Sequence, residues 1–102
     1  MIVKAWNNGS YSKTGGGYGI SIYKADRAKY FNKSWESVVI SIEDRSIEIK
    51  LLDTFWTTCN ELRGKEIGEY LIKYGLGTWA KGKPYELELK NVSNNKFVLK
   101  VI

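Results

Sequence analysis

The chain has no histidine and only one cysteine among its 102 residues, and these two absences remove whole classes of chemistry. Without imidazole there is no Ser-His or Cys-His nucleophilic pair and no histidine-based metal centre. Cys59 alone makes neither an internal disulfide nor a multi-cysteine zinc site. No apolar run approaches the roughly 18 residues that span a bilayer. The start, Met1-Ile2-Val3-Lys4-Ala5-Trp6-Asn7-Asn8, lacks the long apolar stretch of a signal peptide, so residence in the cytoplasm is expected. The three N-x-[ST] sequons at Asn8, Asn32 and Asn91 then read as chance matches. The sequence predicts no cofactor, no metal and no membrane partner. Carboxylates, lysines and tyrosines are all that remains for catalysis, and the expectation is that the protein is not an enzyme.

What is present describes a single folded domain spanning 1–102. The length leaves no room for a second domain, yet exceeds the roughly 60 residues below which cores become marginal. Fourteen Phe, Trp and Tyr residues supply the apolar surface that disordered chains lack. Met1 and a strand closing near Ile102 suggest a whole small protein, although an excised domain would look the same.

Charge is distributed in blocks. The chain carries +5 overall. Residues 1–33 hold six cations against the single acid Asp26, residues 34–72 hold four against eight acids, and residues 73–102 hold six against two. Basic ends around an acidic middle give a two-faced field if the ends meet, and such a field steers polyanions. The competing reading is that a modest positive charge serves solubility.

Periodicity then orders the elements. Ile2–Trp6 reads as a strand, and 7–19, with five glycines and no aliphatic residue, as a long mobile loop. Ile20 and Ile22 mark a second strand, Lys24–Phe31 fits one or two helical turns, and 36–42 and 46–52 form a hairpin around Glu43-Asp44-Arg45. Phe55, Cys59 and Leu62 fall at i, i+4 and i+7, which predicts a helix, with Asp53 as a candidate cap. Ile67, Tyr70, Leu71 and Tyr74 predict another, stopped by Gly75. Strands over 85–89 and 97–101 close the chain around a turn at 91–95. The expected fold class is α+β, mainly β: a partly open antiparallel barrel or pseudobarrel of six or seven strands with one or two helices.

Residues 19–31, a strand running into a short basic helix that ends on an aromatic, followed by the hairpin over 36–52, resemble the opening of the pseudobarrel DNA-binding domains. These occur in plant transcription factors and in the recognition domains of restriction endonucleases. A shorter span is similar to the swapped-hairpin transcription regulators. Tyr23-Lys24 stands where those families usually place a proline after the first motif strand.

The resemblance implies two arms that grip the major groove of duplex DNA. By position, one arm is the loop 7–14 with Lys24 and Arg27, and the other is the corner around Lys50, Thr54, Trp56, Thr57 and Asn60. The residue types suit these roles. Asn8 and Arg27 are of the kind that makes bidentate base contacts, with Tyr11 and Thr57 as further candidate readers. Lys13, Lys24, Lys29 and Lys33 would neutralise phosphates. Ser10, Ser12 and Thr14 offer hydroxyls to phosphate oxygens. Each has a plainer reading: Arg27 in a surface ion pair, Asn8-Gly9 as a turn, Trp56 as core. The glycines at 15–17 precede a strand, so they make neither a P-loop nor a dinucleotide fingerprint.

The alternative function is a protein-interaction or inhibitor domain, for example from a phage or mobile element. Its anchors would be the surplus aromatics Tyr11, Tyr18, Trp79 and Tyr85. Steep salt dependence would mark nucleic acid, and its absence would mark a protein partner.

Overall fold

A computed structural model describes all 102 residues. Seven strands form one nearly closed, barrel-shaped sheet: β1 (Ile2–Asn7), β2 (Tyr18–Ser21), β3 (Ser37–Ile42), β4 (Arg45–Lys50), β5 (Glu61–Arg63), β6 (Glu86–Ser93) and β7 (Lys96–Val101). Two helices accompany them, α1 (Lys24–Tyr30) and α2 (Lys65–Lys73), with a single 3-10 turn at Asp53–Trp56. Around the barrel the order is β4-β3-β7-β6-β1-β2-β5. All neighbours are antiparallel except β3 and β7, which run parallel.

Alternation fixes which face of each strand points inward. Val38, Ile40 and Ile42 on β3, Leu87 and Leu89 on β6, and Phe97 and Leu99 on β7 are all buried. The residues between them face out, so a slip of one residue would turn the core face into water. Phe97 sits at the centre of an aromatic cluster. It stacks on Phe31 at 4.8 Å between ring centroids and meets the edge of Trp35 at 6.3 Å. Burying one such phenyl ring contributes about 2–3 kcal/mol, so the cluster ties the end of α1 to the barrel interior. Two-residue turns make the hairpins, and Glu43 and Asn94 adopt the left-handed φ they require, 56° and 45°.

The helix expected across Phe55, Cys59 and Leu62 does not form. Only the 3-10 turn appears, burying Phe55. The Thr54 carbonyl accepts the N–H groups of Thr57, Thr58 and Cys59, which ends the turn. Two β-branched threonines and Asn60 have weak helix propensity. Leu62 is claimed instead by β5, where it pairs with Ile20.

The loop is shorter than the 7–19 expected, covering 8–17 because Asn7 ends β1 and Tyr18 begins β2, and hydrogen bonds tie it together. Asn8 N–H bonds the Gly17 carbonyl at 3.0 Å, and Ser12 N–H bonds that of Gly16 at 2.9 Å. The loop then docks on α2 backbone to backbone. A Cβ on Gly68 would stand 2.1 Å from the Gly15 oxygen, and one on Gly15 would stand 2.3 Å from the Lys65 oxygen. Gly15 has φ +98°, so glycine serves both the close approach and the backbone conformation there.

Candidate nucleic-acid interface

Strand direction divides the barrel into two ends. β2 begins beside the 8–17 loop and finishes at α1, so the two features lie at opposite ends. The α2 end gathers the 8–17 loop, α2, the Glu43-Asp44 turn and the segment 74–85. The α1 end gathers α1, the segments 32–36 and 51–60, and the Asn94-Asn95 turn. The arms implied by the resemblance are thereby separated. Asn8, Tyr11 and Lys13 stand at the α2 end, whereas Lys24, Arg27, Lys29, Lys33, Lys50 and Thr57 stand at the α1 end.

At the α2 end Asn8 is used locally: its Oδ1 accepts Ser10 N–H at 2.8 Å, with Gly9 at φ +83°. This is the turn reading of Asn8-Gly9. Tyr11 is 44% exposed and leans on Tyr18 at 5.1 Å. With Lys13 they line a cavity of about 470 Å³ against Ile72 and the glycines at 75 and 77. Tyr18 itself is core: burial pushes its phenol up from the ordinary range, and its hydroxyl donates to the Gly77 carbonyl. Of the four aromatics singled out as surplus, Tyr11 and Tyr85 are the exposed ones, while Trp79 packs half-buried against the core.

The α1 end is arranged differently. Arg27 does not pair with a carboxylate; its Nη1 donates to the Phe55 carbonyl at 2.8 Å, bridging α1 to the 3-10 turn. Trp56 lies half-buried with its ring edge-on to Phe55 at 5.1 Å. Thr57 is exposed where that turn ends.

Lys24, Lys29, Lys33 and Lys50 are exposed and belong to none of the four ion pairs, which use Arg45, Arg63 and Lys73. Two shallow clefts run side by side here. One, about 490 Å³, is lined by Lys29, Tyr30, Lys33, Trp35, Asn91 and Asn94 among others. The other, about 560 Å³, is lined by Lys33, Trp35, Lys50, Asp53 and Trp56 among others. Lys33 and Trp35 form the ridge between them. Half-buried indoles beside unpaired ammonium groups offer a polyanion both charge and flat surface.

Sequence reasoning left out Trp35, Asn91 and Asn94. A signal for Trp35 existed: Lys29-Tyr30-Phe31-Asn32-Lys33-Ser34-Trp35 interleaves basic and aromatic residues. The asparagines carry no such signal, because β6 reaches this end only through the barrel's long-range pairing. Asp26, Glu36 and Asp53 share the same end and temper its charge.

No His, Cys, Asp and Glu groups of three or more are close enough to hold a metal ion. No helix is long and apolar enough to cross a membrane. No protein-family model, curated protein or solved structure matches the chain.

Proposed function

We propose that this chain is a non-catalytic nucleic-acid-binding domain whose α1 end lies along the phosphate backbone of duplex DNA. The observation that carries the reading is the convergence of Lys29 and Lys33, from one stretch of chain, with Lys50, from β4, along two clefts that share Lys33 and Trp35, with no ion pair to occupy them. Lys24 extends the same positive edge. The barrel-shaped sheet suits the resemblance to pseudobarrel DNA-binding domains. The loop arm of that resemblance lies at the far end, however, so the α1 end carries the proposal alone. Arg27, held by the Phe55 carbonyl, is a brace for the interface rather than its first reader.

Each lysine that neutralises a phosphate adds about 0.9 to the slope of log K against log salt on duplex. Replacing Lys29, Lys33 and Lys50 together with alanine is therefore expected to flatten the slope by about 2.7. Removing Lys81 and Lys83, which sit in the segment 74–85 at the opposite end, is expected to leave it unchanged. The measurement is fluorescence anisotropy on random-sequence duplex and single-stranded DNA at several salt concentrations. Absence of binding at low salt, or equal slope changes for the two sets, would end the proposal.

A further inference from the structure

The barrel fails to close between β4 and β5, the two ends of the sheet order. Leu51 N–H bonds the Glu36 carbonyl at 2.8 Å, which sets the alternation along the β3–β4 pair. The backbone groups of Ile47 and Ile49 then face β3, and those of Ser46, Glu48 and Lys50 face away from it. On the other side, Ile22 N–H bonds the Asn60 carbonyl and Gly64 N–H bonds the Tyr18 carbonyl. By the same alternation, Leu62 faces β2, while Glu61 and Arg63 point their N–H and C=O groups outward. Both free edges line one cavity of about 660 Å³. Its floor is Ile47, Ile49, Leu51, Phe55 and Leu62. At its mouth Leu52 is 60% exposed.

Two contacts set the level of one edge against the other. Arg45 Nη2 is 3.9 Å from Glu66 Oε2, and a Cβ on Gly64 would lie 3.4 Å from Ile47 Cδ1. Continuing down the antiparallel edges puts Glu48 level with Arg63 and Lys50 level with Glu61. No ion pair joins either couple: Arg63 reaches Glu61 of its own strand, and Glu48 accepts from Ser37. The seam is pinned at the α2 end and stands open below.

We propose that this seam takes an extended peptide segment of another protein as an eighth strand of the barrel. Two facing rows of unpaired N–H and C=O groups call for an occupant that offers both kinds of group along both of its own edges, which an extended backbone does. The aliphatic floor asks for apolar side chains at every second residue. At the lower level the outward position lies between Lys50 and Glu61, so an uncharged residue, Ser or Thr, matches it, while the Arg63 guanidinium turns away from the seam over the Trp6 ring at 4.7 Å. The guest runs along Glu48–Lys50 and Glu61–Arg63, below the level where Ile47 meets Gly64. A second copy of this chain does not fit, because its edge strand would bring a whole barrel into a gap bounded on its far side by β5. This inference does not depend on the nucleic-acid reading.

The test begins with amide exchange followed by NMR on the free protein, where the N–H groups of Glu48, Lys50, Glu61 and Arg63 are expected to exchange freely. A phage-displayed random dodecapeptide library is then selected on the intact chain, and the enriched peptides are synthesised. Period-two aliphatic sequences with Ser or Thr between are expected, and their binding should protect the same four amides. Glu48→Pro removes one seam-facing N–H and leaves the β3 ladder intact, a placement that edge strands tolerate. It is expected to weaken the peptide at least tenfold. N-methylation of alternate peptide amides should do the same without altering the protein. Four outcomes each overturn the proposal: no enrichment, enriched peptides without the alternation, undiminished binding to both the proline variant and the N-methylated peptide, or amides already protected in the free chain. The last would mean that Glu48 zips onto Arg63 and Lys50 onto Glu61, closing the barrel on itself.

Discussion

The two ends of the barrel spend their polar groups in opposite ways. At the α2 end the protein binds itself. Arg45 reaches Glu66 and Glu69, Lys73 and Tyr74 share Glu43, and the glycine loop lies directly on helix backbone. At the α1 end no cation meets a carboxylate: Arg27 donates to the Phe55 carbonyl, the Met1 ammonium to the Leu89 carbonyl, and Lys29 Nζ lies 5.2 Å from the centre of the Tyr30 ring. Lys24, Lys29, Lys33 and Lys50 are exposed, and Trp35 and Trp56 are half-buried beside them. Surface ion pairs contribute little stability, so the pairing at the α2 end is weak evidence of strength. The lesson concerns availability: a cation already matched to a carboxylate has less to offer a phosphate. Lys13, Lys65, Lys81 and Lys83 at the α2 end also lie outside the ion pairs, so what distinguishes the α1 end is unpaired lysine lining clefts with two half-buried tryptophans.

The largest break in this contrast comes from the Gly15–Gly68 contact. Gly15→Ala forces a Cβ to 2.3 Å from the Lys65 oxygen at a φ of +98°. Overpacking and left-handed strain together are expected to cost about 3 kcal/mol. For a domain of this size that lowers the melting temperature by roughly 15 °C. DNA binding measured well below the new midpoint should be unchanged if the interface lies at the other end. A variant that melts normally would show that the loop does not depend on this docking.

Much of the fold was legible in the sequence because period-two burial survives without tertiary help. Val38, Ile40 and Ile42, and again Phe97 and Leu99, declare their strands and their inward face. The spacing of Ile67, Tyr70 and Leu71, with Gly75 behind them, declares α2 as clearly. Phe55, Cys59 and Leu62 misled for a physical reason: three apolar residues at helical spacing belong here to a turn, a loop and a strand. Pairing of Leu62 with Ile20 decided the matter from 42 positions away. The parallel β3–β7 pair is equally invisible, since nothing local distinguishes it from an antiparallel neighbour. The candidate site was legible as residue types and not as a place. Lys29 and Lys33 were readable as phosphate partners and Lys50 as part of a second arm, but the end of the barrel on which each residue falls is fixed by strand direction. Strand direction therefore removed Asn8, Tyr11 and Lys13 from their company.

Arg27 sharpens the comparison from inside the α1 end. It bridges α1 to the 3-10 turn, so Arg27→Ala is expected to cost about 1.5 kcal/mol, the net worth of a half-buried hydrogen bond from a charged donor. Lys29→Ala should do the reverse, sparing stability while reducing the salt slope of DNA binding by about 0.9. Thermal melts and anisotropy titrations of the two variants separate the roles. If Arg27→Ala melts like the parent and changes base preference, the arginine is a reader and the brace assigned to it is wrong.

The smallest effect belongs to Glu43, and its pH dependence marks the α2 end as self-satisfied. Its carboxylate accepts the Tyr74 hydroxyl at 2.6 Å and the Lys73 ammonium at 3.0 Å. The Tyr74 hydrogen bond first, and Lys73 second, hold its pKa below the ordinary carboxylate value. A pKa lowered by folding stabilises the native state above the unfolded value, and that stabilisation fades as pH falls through the folded one. Lys73 and Tyr74 are both raised, chiefly by their hydrogen bonds to Glu43, so their share is complete below their ordinary values of 10.5 and 10.0 and fades as pH rises through the folded ones. The difference in melting temperature between the parent and Glu43→Gln should therefore be greatest around neutral pH and shrink at both extremes. It should also shrink in high salt, because all three groups are exposed and screened. A difference that persists undiminished in strong acid would assign the effect to the left-handed turn at Glu43 rather than to its charge.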